Sequence, residues 1–170
     1  MIGILFFELF IIVFTIGLFF YLKRVSYKNT LRKFVIMFFG VLLFEVMSEP
    51  MWKNYLLDSW AYLYRDVSWL ITIGWVDIFL VSMMLVDNYY QKLNEKKKFW
   101  IYLLFVTVIT SVIEVMLLKV GIRGYAPILK SKMSGLAIPF TKAPIEIIPT
   151  VPIIAALVIS FYNYINHLFE

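Results

Sequence analysis

Five long apolar runs constrain this chain more than any other feature. A helix needs about 20 mostly apolar residues to cross a hydrocarbon core roughly 30 Å thick. Runs of that kind fall at about Ile2–Leu22, Phe34–Met47 (extendable to Trp52), Trp69–Val86, Phe99–Leu118 and Pro144–Tyr164. Of the 170 residues, 62% are hydrophobic and 16% charged, against roughly 45–50% and about 25% in ordinary soluble domains. The expected fold is therefore an all-α integral membrane protein of about five transmembrane helices. A soluble enzyme, a disordered tail and a nucleic-acid-binding domain are poor readings despite a net charge of +5. With no cysteine in the chain, a disulfide framework, a thiolate metal site and a cysteine nucleophile are excluded. The first run lacks a basic n-region and a small-residue cleavage site and is too long for a signal peptide, so it reads as a retained helix.

The connections predict an orientation. Lys23–Lys33 holds five basic residues and no acid, and Asp87–Lys98 ends in Lys96-Lys97-Lys98. These two loops lie on one side of a five-helix chain and carry nine Lys and Arg residues. Ser48–Ser68 and Lys119–Lys142, on the other side, carry seven. The positive-inside rule then places the N-terminus outside and the C-terminus in the cytoplasm of a multi-pass cell-membrane protein.

Charge inside the apolar runs is the strongest functional signal. Glu8, Glu45, Asp77, Glu114 and Glu146 fall within or at the ends of those runs, and no Lys or Arg lies inside the runs beside them. An ionisable group at that depth costs several kcal/mol unless it faces a bundle interior or a wet cavity. Taken through a five-helix topology, all five acids fall in the membrane half opposite the two short basic loops. Glu8 and Glu146 lie near their helix ends, where interfacial water is within reach.

A repeat relates four of these acids. Glu45-Val46-Met47 recurs as Glu114-Val115-Met116, 69 residues later, and the same offset carries Asp77 onto Glu146. Thr72-Ile73-Gly74-Trp75-Val76-Asp77 then lies against Thr141-Lys142-Ala143-Pro144-Ile145-Glu146. Helices two-three and four-five read as parallel copies of one unit. The boundaries are 1–31 for the first helix and its basic loop, 32–96 for the first unit and 97–170 for the second, in a single membrane domain. A pseudo-twofold would bring the four acids towards one central cavity.

The long loops add aromatic and basic material. Trp52, Tyr55, Trp60, Tyr62, Tyr64 and Trp69 crowd the first, either as an interfacial belt or, for a few, as a cavity wall whose ring faces stabilise a cation. In the second, Arg123 is the basic residue expected to partner a carboxylate or, equally, to contact a lipid headgroup, within Gly121-Ile122-Arg123-Gly124-Tyr125-Ala126-Pro127. The five cations of Lys119–Lys142 could also hold a diphosphate or lipid headgroup. His167, the only histidine, reads as solvated. No metal site, phosphate loop or nucleophile triad stands out.

These stretches carry a resemblance. Pro50-Met51-Trp52-Lys53-Asn54-Tyr55-Leu56, then Trp60-Ala61-Tyr62 and Thr72-Ile73-Gly74, resemble the first half of the integral-membrane lycopene cyclase domain. Glu114, Gly121-Ile122-Arg123-Gly124-Tyr125, Pro127, Ser134-Gly135-Leu136 and Pro144-Ile145-Glu146 are similar to its second half. The likeness spans about residues 15–160. The family's paired-glutamate motif is reduced to Asp77-Ile78 in one half and Glu146-Ile147 in the other, and Lys53 stands where the family has Asp. The resemblance implies a divergent cyclase-like member acting on a carotenoid or related isoprenoid, with no cofactor and no metal. Family halves can be separate chains that pair. This chain holds both, so a homo-oligomer is an option rather than a requirement.

The chemistry expected of such a protein is redox-neutral. A buried carboxyl protonates a terminal C=C bond, ring faces stabilise the carbocation, and a second carboxylate removes a proton. Glu114 and Glu146 lead as catalytic candidates because both match family positions, followed by Asp77 and Glu45. Trp52, Trp60, Tyr62, Arg123, Tyr125 and Glu8 are the candidate substrate contacts. The expected partner is membrane lipid or a long apolar isoprenoid, and no nucleic acid. The competing reading is a non-enzymatic lipid- or ligand-binding protein, or a proton-coupled transporter, on the same scaffold. A closed apolar cavity open sideways to lipid favours the first; a wet path joining the acids to both faces favours the second.

Overall fold

A computed structural model describes residues 2–25, 27–141 and 143–169. Five helices in it are long and apolar enough to cross a membrane. They are α1 (Ile2–Arg24), α2 (Thr30–Ser48), α3 (Trp69–Tyr89), α4 (Glu95–Val120) and α6 (Ile147–His167), with a single helical turn, α5 (Pro127–Lys130), in the second long loop.

The helices overrun the apolar runs wherever backbone chemistry favours it. α4 begins at Glu95, four residues before its expected start at Phe99, because the Asn94 side chain accepts the Lys97 N–H. That cap satisfies a donor which the first turn otherwise leaves open. The three lysines are thus helical, and their charge never bore on helicity. α4 ends at Gly121, whose φ of 86° closes the helix in a left-handed turn that suits glycine. α6 begins later than expected, at Ile147 rather than Pro144, because an isolated bridge between Ala137 and Pro144 holds the approach in extended form.

α2, α3, α4 and α6 form a closed ring in which each packs against two neighbours, and α1 leans mainly on the outside of α3. α3 is the interior helix: 12 of its 21 residues are buried, against four of 26 in α4. Leu70, Val76, Leu80, Val106, Val158 and Ile159 are core residues of this ring, all but sealed from solvent. α2 and α6 approach closely at Gly40, where a Cβ would stand 2.8 Å from the Phe161 ring. Large apolar side chains such as Phe6, Phe10, Phe20 and Leu104 face outward, as lipid-facing residues do.

The long loops fold across one end of the ring. β1 (Trp52–Asn54) follows α2 through a 3-10 turn, Glu49–Met51, and pairs antiparallel with β4 (Arg123–Tyr125), which follows α4. The register sets Trp52 opposite Tyr125, Lys53 opposite Gly124 and Asn54 opposite Arg123. β2 (Tyr62–Tyr64) and β3 (Val67–Ser68) make a second small antiparallel pair leading into α3, whose first turn is capped by Ser68 accepting the Ile71 N–H. Every backbone group in these irregular segments needs a partner near the apolar phase, and cross-loop pairing supplies several.

Candidate functional site

β4 turns Arg123 inward, beneath the loop layer, and three elements converge on it. Its Nη1 and Nη2 both lie 3.2 Å from Glu45 Oε1 on α2. Its Nε lies 3.1 Å from Glu114 Oε1 on α4, an ion pair too bent for a hydrogen bond. The rings of Trp52 and Trp75 cover the guanidinium, with centroids 4.8 and 5.7 Å from its carbon. Arg123, Glu45 and Glu114 are all buried. Burial works against the Arg123 cation, yet the two carboxylates outweigh it and hold the proton more firmly than in water. Both acids thus converge on one guanidinium.

Asp77 sits elsewhere. It lies on α3 about two turns below the loop layer, buried, with Oδ2 2.6 Å from the Thr15 hydroxyl of α1. Its Oδ1 has no hydrogen-bond partner among the described residues. The residue opens onto a crevice of about 310 Å³ between α1, α3 and α4, walled by Phe7, Phe10, Phe14, Ile113, Leu117 and Trp75 among other apolar side chains. Among the described residues, Asp77 is the one ionisable side chain in that lining. Trp75 also lines the cavity beside Arg123, so its indole is the partition between the apolar crevice and the ion cluster.

The four repeat-related acids do not meet in one cavity. Glu45 and Glu114 share Arg123, whereas Asp77 faces the crevice and Glu146 faces an outer cavity formed with Tyr125, Trp52 and Lys132. The reason is the unequal entry to α3 and α6: Asp77 is nine residues into its helix, while Glu146 precedes its own. Glu146 Oε1 accepts the Ser134 N–H at 2.7 Å, and that bond holds its carboxyl below the usual range.

Three expected substrate contacts, Glu8, Tyr62 and Trp60, make contacts to the loops. Glu8, fully buried, accepts the Asp58 N–H at 2.7 Å and so ties α1 to the first long loop. Tyr62 donates to the Asn54 carbonyl at 2.9 Å. Trp60 is exposed, packs on Trp69 at 5.4 Å between centroids and accepts the Trp69 indole N–H on its carbonyl. Neither Tyr62 nor Trp60 lines the crevice or the Arg123 cavity. Trp52 and Tyr125 do gather at the loop end, 4.8 Å apart between centroids. The basic loop does not collect its charges: Arg123 is turned inward, Lys119, Lys130 and Lys132 are exposed, and Lys142 lies outside the described residues.

A further polar cluster lies at the opposite end, around Asp87. Asp87 accepts hydrogen bonds from the Tyr27 and Tyr102 hydroxyls and stands 3.5 Å from Lys33 and 4.0 Å from Lys98. It binds the ends of α2, α3 and α4 and the α1–α2 loop together. Tyr27 and Tyr102 lie 75 residues apart, so no local pattern announces the cluster. Comparison with protein-family models, curated proteins and solved structures finds no match.

Proposed function

We propose that this is a membrane-embedded, cyclase-like protein that takes a long apolar isoprenoid into the α1–α3–α4 crevice and performs redox-neutral acid–base chemistry on it at Asp77. The observation that carries the reading is a lone buried carboxyl, with one oxygen unpartnered among the described residues, in a wholly apolar lining. A crevice of that character suits a hydrocarbon chain and offers water few partners.

The hydrogen bonds around Asp77 suit an acid. The Thr15 hydroxyl has one proton but two oxygens within reach, Ile11 O at 2.8 Å and Asp77 Oδ2 at 2.6 Å. A threonine in a helix commonly gives its proton to the carbonyl four residues back. A protonated Asp77 that donates to the Thr15 oxygen then satisfies all three atoms. In the proposed reaction Asp77 delivers that proton to one carbon of a terminal C=C bond. The resulting cation is captured by a neighbouring C=C bond, closing a ring, and the Asp77 carboxylate removes a proton from an adjacent carbon. Atoms and electrons balance as an isomerisation. The faces of Phe7, Phe10, Phe14 and Trp75 stabilise the cation. Glu45 and Glu114 take the supporting part of fixing Arg123, and with it the far side of Trp75.

The strand register also supports a duplicated unit. Asn54 stands opposite Arg123, again 69 residues apart, which is where a twofold axis between the units passes through an antiparallel pair. Orientation follows the basic loops, with the N-terminus outside. Because the chain has no cysteine, a single cysteine at Arg65 should label in intact cells and one at Lys96 only after permeabilisation. The reverse pattern overturns the orientation.

The reaction is tested by expression in lycopene-producing cells followed by pigment chromatography. The wild-type protein should yield a ring-bearing product of unchanged mass, and Asp77→Asn should abolish it while the fold is retained. Unchanged lycopene beside folded wild-type protein removes the cyclase reading, and product from Asp77→Asn removes Asp77 from the chemistry.

A further inference from the structure

Two small cavities lie side by side at the long-loop end, separate from the Asp77 crevice. The inner one, about 70 Å³, is bounded by Glu45, Glu114, Arg123, Trp75 and Thr110. The outer one, about 150 Å³, is bounded by Tyr125, Glu146, Lys132 and Leu129. Trp52 and Thr150 line both, so those two side chains form the boundary between them.

Charged side chains of both signs surround the pair. Among the described residues, Arg123 is met by Glu45 and Glu114 in the inner cavity, while Glu146 and the exposed Lys132 line the outer one. Glu146, its carboxyl held below the usual range by the Ser134 N–H, is anionic at neutral pH and attracts a cation there.

Unmet hydrogen bonds point to the same place. The Tyr125 hydroxyl is buried with no partner among the described residues, although the residue is only 6% exposed and forms a wall of the outer cavity. Glu146 Oε2 and the Thr110 hydroxyl are likewise without partners there. Buried polar groups are nearly always satisfied, by protein, water or ligand. Burial and the Glu114 carboxylate keep the Tyr125 hydroxyl firmly protonated, so it offers one donor and free lone pairs.

The complement of this arrangement can be read from its parts. A neutral alcohol meets the hydrogen bonds but leaves the charge. A quaternary ammonium meets the charge but has no N–H for Glu146 or Tyr125. A hard metal cation requires about six oxygen ligands, more than these side chains converge. A primary ammonium supplies both the positive charge and three N–H donors, and a short alkyl body fits the ring of Trp52. We propose that the paired cavities bind a compact primary amine, its ammonium donating to Glu146 Oε2 and the Tyr125 hydroxyl oxygen and its alkyl part lying on Trp52. The site uses residues other than Asp77 and stands independently of the isoprenoid reading.

The test uses the full chain in lipid nanodiscs at pH 7, with n-butylammonium as probe and 1-butanol and tetramethylammonium as controls, read by calorimetric titration. Saturable binding of n-butylammonium is expected, at least tenfold tighter than either control. Glu146→Gln keeps an oxygen for the Ser134 N–H, and Tyr125→Phe removes a hydroxyl without a partner among the described residues, so both variants should stay folded. Glu146→Gln should weaken binding at least tenfold and Tyr125→Phe several-fold, with the thermal unfolding of Tyr125→Phe unchanged in the absence of amine. Absence of saturable n-butylammonium binding, equal binding of either control, or unchanged affinity in both variants overturns the proposal.

Discussion

Replacing Arg123 by Met should be the most destabilising single change at the loop end of the bundle. Arg123 is 6% exposed, Glu114 4% and Glu45 9%, so solvent screens little of their interaction. Both carboxylates lie within 3.2 Å of the guanidinium. Removing one partner of a buried ion pair typically costs about 3–5 kcal/mol, because the remaining charge is left without compensation. Here two carboxylates are left facing each other, and Trp52 and Trp75 lose the plane on which they stack, so the upper half of that range is expected. The same reasoning makes a second demand. Replacing a whole buried ion cluster by neutral groups of similar volume is often close to neutral in stability. The triple variant Arg123→Met, Glu45→Gln, Glu114→Gln should therefore recover most of what the single change loses. Reversible unfolding by SDS in mixed micelles, followed by tryptophan fluorescence, measures both. A loss below about 1 kcal/mol for Arg123→Met, or a triple variant no more stable than the single one, refutes a cluster held by buried charge.

Other expectations follow from single contacts. Gly40→Ala puts a methyl group 2.8 Å from Phe161 and should cost about 1–3 kcal/mol as α2 and α6 part or the ring turns; an unchanged melting temperature in micelles counts against that packing. Asp87→Ala strips the acceptor from Tyr27 and Tyr102 and the counter-ion from Lys33 and Lys98, and should cost about 2–3 kcal/mol, read by the same SDS titration; a neutral result means the cluster does not tie the helix ends. For Glu146 the sign is that of a carboxyl lowered on folding. Its contribution is present above the unfolded value of about 4.3 and is lost as pH falls through the lower folded value. Acidification below pH 5 should thus weaken the wild type more than Glu146→Gln, and parallel pH curves for the two exclude the Ser134 bond as the cause.

The helices were legible because hydropathy in runs of this length has one common solution in a bilayer. Their ends were less so: Asn94 capping carried α4 back through three lysines, since a helix is limited by its backbone donors and not by the polarity of its side chains. The pairing of β1 with β4 joins two three-residue segments about 70 positions apart, too short and too distant for any periodic signal. Arg123 was legible as a candidate partner for a carboxylate, but its pairing with Glu45 across 78 residues was not, because sequence distance says nothing about which acid a strand turns towards. The separation of Asp77 from Glu146 did not follow, because the offset that relates them is blind to where each helix begins. Glu8 shows the converse: an acid inside an apolar run that serves a loop amide, indistinguishable by sequence from one that serves a ligand.

The central claim is that the crevice beside Asp77 holds a long isoprenoid, and its occupancy can be measured directly. Gly74 lines the crevice, and a Cβ there would meet only Ile11, at 3.8 Å, so Gly74→Leu fills the space without breaking a close contact. Lipid extracts of purified wild-type and Gly74→Leu protein should be compared by mass spectrometry. A polyisoprenoid enriched on the wild type over the bulk membrane extract, and lost from Gly74→Leu, is the expected result. No isoprenoid enrichment on the wild type, or equal retention by Gly74→Leu, contradicts it.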